Sequence, residues 1–190
     1  MPLPARCFPW LALLALPCAV LAAARREPAP NPSPATANLP KEIASAFFIA
    51  KSENRNQVHF AVAVDQRCAP RGEEPVSPRW RMLERRPYAT EPLGSWEQGA
   101  YGVAAQRVLA RSANGGAVEL SLQALPGRQL VITTSARRDG SCGATVAAQI
   151  GGASALLESV WVELGFLHIA WIELRGHTRE GLAVNERISP

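Results

Sequence analysis

The sequence has few of the residues that enzymes most often use for catalysis, with three histidines and four cysteines among 190 residues. It contains no H-E-x-x-H or S-x-x-K motif and no glycine-rich phosphate loop in front of a helix. The segment GASAL at 152–156 lacks the second glycine of a G-x-S-x-G nucleophile elbow. His59, His168 and His177 have no metal-ligand spacing. The sequence therefore indicates no metal site, no cofactor and no familiar catalytic motif.

Aromatic residues are also scarce, at 6% of the chain, and the charge is only weakly basic. There are 20 Lys and Arg residues against 16 Asp and Glu, which gives a net charge of +4. The basic residues form no stripe interleaved with aromatic side chains, the pattern typical of nucleic-acid-binding surfaces. We therefore expect no nucleic-acid partner.

Long apolar runs are missing after the first 24 residues. A membrane helix needs roughly 20 apolar residues, and the nearest later run, Val160 to Leu174, is interrupted by charged and histidine side chains. The amino terminus differs: Arg6 precedes the apolar run from Phe8 to Leu21, and Ala22-Ala23-Ala24 follows. This pattern predicts a secretory signal peptide over residues 1–24, and hence a periplasmic or secreted bacterial protein. A retained amino-terminal anchor is the alternative.

The few cysteines support an exported protein. Cys7 and Cys18 lie in the predicted signal peptide, which leaves Cys68 and Cys142 in the mature chain. Two cysteines in an exported domain most often form one disulfide. Closing so long a loop stabilises the fold by roughly 4 kcal/mol in the chain-entropy model. The alternative is a catalytic thiol at Cys142, which would need a histidine close by.

Proline and alanine dominate residues 25–42, which we expect to form a disordered tether. Residues 43–190 then alternate between short apolar strands and turn signals such as Asn114-Gly115-Gly116 and Pro126-Gly127. This spacing predicts an all-β domain, a single antiparallel meander of nine or ten strands. Because closure removes exposed edges, the pattern favours a closed, calycin-like barrel over a sandwich.

The clearest element is the stretch Phe47 to Asp65, which predicts an antiparallel hairpin. Its second arm alternates, with Val58, Phe60, Val62 and Val64 expected to face the core and the intervening residues to face water. Six polar residues, Lys51 to Asn56, are expected to form the turn.

We predict a weak ligand site at the end of the sheet that carries this turn. An apolar body with a polar or anionic head would suit the polar and aromatic groups expected there. The candidate residues are Lys51, Asn54, Arg55, Asn56, Trp80, Glu84 and Tyr101. In the alternative interpretation, the asparagines shape the turn, Glu84 pairs with an arginine and the aromatic rings belong to the core.

Three segments, FFIAKSENRNQVHF, PVSPRWRMLE and EQGAYGV, carry a resemblance to a domain-of-unknown-function family of exported bacterial envelope proteins. The resemblance extends over about Ala46 to Ile188. It implies an exported all-β domain and assigns no activity, so no catalytic residue is transferred from it.

Together these features predict an exported, non-enzymatic β-domain that binds a small amphipathic ligand or an envelope partner. One alternative is an envelope hydrolase or transferase that uses Cys142 with a histidine, or Glu84 with Glu97. A second alternative is a purely structural domain whose sheet edge pairs with a partner strand.

Overall fold

The computed structural model describes residues 42–83, 89–166 and 168–189. The predicted signal peptide, nearly all of the predicted tether, and Glu84 lie outside these ranges. Eleven strands and one short helix occupy the described part of the chain. The elements are β1 (Ile43–Lys51), β2 (Asn54–Ala63), β3 (Val76–Met82), β4 (Ala89–Pro92), α1 (Ser95–Tyr101), β5 (Val103–Ser112), β6 (Gly115–Leu122), β7 (Gln129–Ala136), β8 (Cys142–Ile150), β9 (Ala153–Gly165), β10 (His168–His177) and β11 (Ala183–Ile188).

Strand β9 is the longest strand and the point at which the sheet branches. One of its edges pairs with a single strand, and the other pairs with two. One edge pairs with β10 from Leu156 to Gly165. The other edge pairs first with β8, over Ala153–Leu156, and then with β1, over Ser159–Val162. The sheet therefore divides at β9 into a first branch, β1-β2-β3-β4, and a second branch, β8-β7-β6-β5, while β11 extends it beyond β10.

The all-β prediction is confirmed, but the closed barrel is wrong and the single meander holds only in part. The described strands form one sheet, which is mixed because β1 pairs in parallel with β9 on one edge and antiparallel with β2 on the other. The sheet is not closed, because β4 and β5, at the two ends of the strand order, do not pair with each other. Between β3 and β5, the side-chain amide of Gln106 replaces a strand ladder. It accepts a hydrogen bond from the Val76 N–H (2.8 Å) and donates one to the Val76 carbonyl (3.2 Å).

The core includes inward-facing side chains of both branches. Phe47 and Phe60 stack at 4.5 Å between ring centroids, and both are fully buried. The alternating residues of β6, Val118, Leu120 and Leu122, are at most 1% exposed, as their pattern predicts. Burying each such side chain is worth about 1.5–3 kcal/mol, so this core is the main source of stability.

A disulfide between Cys68 and Cys142 joins the loop after β2 to the start of β8, as predicted. The same loop is fixed by Thr134 of β7, whose buried hydroxyl donates to the Cys68 carbonyl at 2.7 Å. Gly116 of β6 has no side chain, which leaves room for Pro70; a Cβ there would lie 2.4 Å from that proline ring. The loop after β2 therefore ties the first branch to the second.

The predicted hairpin is present, with a shorter turn than expected. Lys51 pairs with Asn54, so the turn contains only Ser52 and Glu53. Asn54 to Asn56 belong to β2, where Asn54 continues the ladder and Arg55 and Asn56 form an irregularity between the Lys51–Asn54 and Ala50–Gln57 pairs. The outward face of β2 also departs from the expectation, because Gln57 is 6% exposed and His59 is only partly exposed.

Candidate functional site at the hairpin end

The end of the sheet at the β1–β2 turn carries a cluster of three predicted residues, Lys51, Trp80 and Tyr101, which we name the hairpin-end cluster. The Lys51 ammonium lies 5.2 Å from the centroid of the Trp80 ring. Trp80 meets Tyr101 edge to face, with centroids 6.1 Å apart. Strands β1 and β3 supply the first two residues, and the last residue of α1 supplies Tyr101.

Both rings are buried, and the indole nitrogen of Trp80 is buried without a partner among the described residues. Trp80 is 6% exposed and Tyr101 is 3% exposed. The indole Nε1 of Trp80 has no hydrogen-bond partner in the described part of the chain. A buried donor without an acceptor lowers the stability of the folded protein by about 1–3 kcal/mol. A ligand that supplies an acceptor would remove this penalty.

Two carboxylates accompany the cluster. Glu53 accepts a hydrogen bond from the Lys51 ammonium at 2.9 Å, and the Lys51 side chain is 14% exposed. Glu97 accepts from the Gly94 N–H at 2.6 Å and thereby holds the start of α1. Burial raises the pKa of Tyr101, and the charges of Glu53 and Glu97 raise it further. Tyr101 therefore keeps its proton at neutral pH and is available as a hydrogen-bond donor.

The other predicted residues fall into different roles. Asn54 accepts from the Asn56 N–H (3.0 Å), and Asn56 accepts from the Leu83 N–H (3.0 Å). Asn54 thus holds the backbone next to the turn, and Asn56 links β2 to the residue after β3. Arg55 is exposed on β2. Glu84 lies outside the described residues, so its place relative to Glu97 stays a prediction.

The structure argues against the alternative in which Cys142 is a catalytic thiol. Cys142 is in the disulfide with Cys68, so its sulfur is not a free nucleophile. Within the described ranges, no three His, Cys, Asp or Glu residues are grouped so as to hold a metal ion. No helix among the described residues is long and apolar enough to cross a membrane.

Behind the cluster, on the outward face of β2, lies a histidine that the sequence had indicated to be solvated. His59 stacks on Phe48 at 5.5 Å and donates from Nε2 to the Gln57 side-chain carbonyl at 2.9 Å. Burial, with a smaller contribution from the Arg81 charge, lowers the pKa of His59 to about 4. The imidazole is therefore neutral at pH 7.

A second cluster of aromatic and charged side chains, missed in the sequence, lies on the outward face of β9, β10 and β11. Glu173 of β10 accepts from Arg175 at 2.5 Å and from Arg187 at 3.2 Å. The guanidinium of Arg187 covers the Trp171 ring at 3.9 Å, and that of Arg175 lies 5.9 Å from Trp161. We name these five residues the β10 cluster. Their alternate spacing, W-x-E in β9 and W-x-E-x-R in β10, is the sequence signal that could have revealed it.

The polar groups at the centre of the β10 cluster have partners. The Trp161 indole donates to Glu163 at 3.0 Å. Burial acts to raise the pKa of Glu173, but the hydrogen bonds and charges of Arg175 and Arg187 outweigh it and hold that pKa below its usual range. Glu173 is therefore ionised at neutral pH and neutralised by two arginines, which is the arrangement of a structural network.

Fold and site together define an all-β domain with one divided, mixed sheet and a candidate binding cluster at its hairpin end. The family described as Domain of unknown function (DUF4833) matches residues 47–187. Because this match covers most of the chain, the protein belongs to that family. No curated protein and no solved structure matches the chain.

Proposed function

We propose that the protein is an exported, non-enzymatic binding domain of the bacterial envelope, and that its ligand presents an oxygen acceptor to the hairpin-end cluster. The observation that carries the proposal is the buried, unpartnered indole N–H of Trp80. Buried polar groups in native proteins nearly always have partners, and exceptions are frequent at functional sites.

The neighbours of Trp80 favour an anionic oxygen on the ligand. The neutral Tyr101 hydroxyl is a second donor, and the Lys51 ammonium supplies a positive charge beside the indole. The Trp80 indole can only donate, and the Tyr101 hydroxyl can donate as well, so an acceptor such as a carboxylate suits the indole better than an amine. The favoured ligand is therefore a small amphipathic carboxylate.

The open sheet restricts how such a ligand binds. An interior barrel cavity is not available, so the ligand has to approach the end of the sheet from outside. Only the head group is then enclosed, and binding of millimolar to micromolar strength is expected.

Binding can be read directly at the indole N–H with octanoate as the probe. The mature chain has four tryptophans, and the variant Trp80→Phe identifies the Trp80 resonance in a proton–nitrogen correlation spectrum. Octanoate should shift this resonance downfield, and octylamine, which has the same tail without an acceptor, should not. Trp96→Phe, at a residue that is 77% exposed, is the matched control and should leave octanoate binding unchanged.

Octanoate binding that persists unchanged in Trp80→Phe and Tyr101→Phe would overturn the assignment of the site. Export is tested separately, by the mass of the protein recovered from the periplasm or medium of a bacterial host. The expected mature chain begins after a residue between Ala22 and Ala24, with residues 25–42 as a tether in front of the β-domain. Protein that keeps its first 24 residues and stays in the cytoplasm would contradict export.

A further inference from the structure

A groove of about 780 Å³ lies on the second branch, among strands β6, β7, β8 and β9, with Leu174 of β10 also in its lining. This volume falls within the range of small-ligand sites in proteins. None of the hairpin-end residues lines it, so the groove is independent of the proposed carboxylate site.

A row of uncharged polar side chains crosses the groove. Ser121 of β6 lies opposite Gln129 of β7, and Gln149 of β8 lies opposite Ser154 of β9. The register of β7 and β8, which pairs Val131 with Ala147, continues to place Gln129 beside Gln149. Four strands at about 4.8 Å spacing give a row on the order of 14 Å long. Each member is both a hydrogen-bond donor and an acceptor.

The rim beside this row is rigid and electrically neutral. Arg128 donates to the Gln149 carbonyl at 2.9 Å and forms an ion pair with Glu186. Glu186 also accepts from the Gly151 N–H at 2.9 Å. The hydrogen bond from Gly151, together with that from Arg128, lowers the pKa of Glu186 and keeps it ionised. The charges on the rim cancel, so a strongly charged ligand gains little there.

The chemistry of the groove points to one class of ligand. Strands β7 and β8 are paired on both edges, so a peptide cannot add to the sheet as a further strand at the centre of the groove. Next to the polar row, the small side chains of Val131 and Ala147 leave space above the sheet. We propose that the groove binds a neutral oligosaccharide, whose hydroxyl and amide groups pair with the serine and glutamine row.

The test uses the N-acetylglucosamine tetramer and maltotetraose as probes. Side-chain amide resonances of Gln129 and Gln149 should shift on titration up to about 10 mM, a concentration that detects weak binding. The double variant Gln129→Ala/Gln149→Ala should weaken binding at least tenfold. Gln123→Ala changes an exposed glutamine in the β6–β7 turn, outside the row, and should leave the affinity unchanged.

A second variant tests the groove without removing hydrogen bonds. Ala147→Trp places a bulky side chain beside the row at an exposed position, so it should abolish binding while the thermal unfolding temperature stays the same. Three results would each overturn the proposal: no shift with either tetrasaccharide, equal binding by Ala147→Trp, or equal shifts of the two glutamines with tetra-alanine. None of these results depends on octanoate binding at Trp80.

Discussion

The hairpin-end cluster and the β10 cluster contain the same kinds of groups, but they differ in whether the tryptophan indole has a hydrogen-bond partner. Each has a cation over a tryptophan ring and a carboxylate beside the cation. In the β10 cluster, the Glu173 carboxylate forms ion pairs with two arginines, and the Trp161 indole donates a hydrogen bond to Glu163. In the hairpin-end cluster, the Trp80 indole is buried and has none among the described residues. A network whose donors and acceptors are all paired stabilises the folded protein by itself. A network with an unpaired donor contributes fully only when a ligand supplies the missing acceptor.

Removing the shared carboxylate should produce the largest effect. Glu173→Gln leaves Arg175 and Arg187 without the charge that neutralises them at a site where the glutamate side chain is only 10% exposed. The free energy of unfolding should fall by about 2–3 kcal/mol, measured by urea denaturation. In the hairpin-end cluster, Glu53→Gln should cost less than about 0.5 kcal/mol, because that carboxylate is 58% exposed. Equal losses in the two variants would contradict the distinction between the clusters.

The pH dependence of stability should separate His59 from Glu173. The pKa of His59 is lowered to about 4 in the folded protein from 6.5 when unfolded. The unfolded chain therefore binds more protons between these values, so stability is complete above pH 6.5 and falls as the pH drops towards 4. The loss should be on the order of 2–3 kcal/mol. Glu173, whose pKa is lowered, contributes above its unfolded value of 4.5 and loses that contribution only below it.

The variant His59→Gln should remove most of the slope between pH 6.5 and 4.5 and leave the more acidic limb in place. Urea denaturation at a series of pH values checks both limbs. A variant that keeps the full slope would show that another group titrates in this range.

Matched tryptophan substitutions should differ in their cost. Trp161→Phe removes the hydrogen bond to Glu163 and weakens the contact with Arg175, so it should lose about 1–2 kcal/mol. Trp80→Phe removes a buried donor that has no partner, and this gain offsets the lost packing. Its unfolding free energy should stay within about 0.5 kcal/mol of the parent protein. A larger loss for Trp80→Phe than for Trp161→Phe would mean that the indole of Trp80 is already satisfied in the free protein.

The sequence was sufficient for most of the strands, which follow from local alternation, although it predicted nine or ten and the described residues form eleven. It was also sufficient for the disulfide, because only two cysteines follow residue 24. Alternation predicted Val118, Leu120 and Leu122 in the core, and the cysteine count predicted the pair Cys68–Cys142. It was not sufficient for the open sheet. The parallel contact of Phe48–Lys51 with Ser159–Val162 joins segments more than 100 residues apart, and no turn signal encodes it.

The candidate site, like the fold, was predictable only in part. Spacing along β1 and β3 brought Lys51 and Trp80 to one end, but only the position of α1 shows that Tyr101 meets them. Asn54 and Asn56 were predicted from sequence as ligand contacts; both accept hydrogen bonds from backbone N–H groups, and a role in binding stays a prediction. Burial of His59 and Gln57 also escaped the alternation pattern, because that pattern reports one covered face and cannot reveal that the opposite face is partly covered.

The smallest expected effect is that of Tyr101→Phe, which is best compared with Thr134→Val because each variant removes a single hydroxyl group. Tyr101→Phe deletes a hydroxyl and keeps the ring that packs against Trp80, so it should change the unfolding free energy by less than about 0.5 kcal/mol. Thr134→Val deletes a buried hydroxyl that donates to the Cys68 carbonyl, and should lose about 1–2 kcal/mol. With octanoate present, the order of effects should change: the parent protein gains stability from the ligand, Thr134→Val gains as much, and Tyr101→Phe gains less. If Tyr101→Phe is stabilised by octanoate as strongly as the parent, the hydroxyl does not contact the ligand, and Trp80 and Lys51 alone hold its head group.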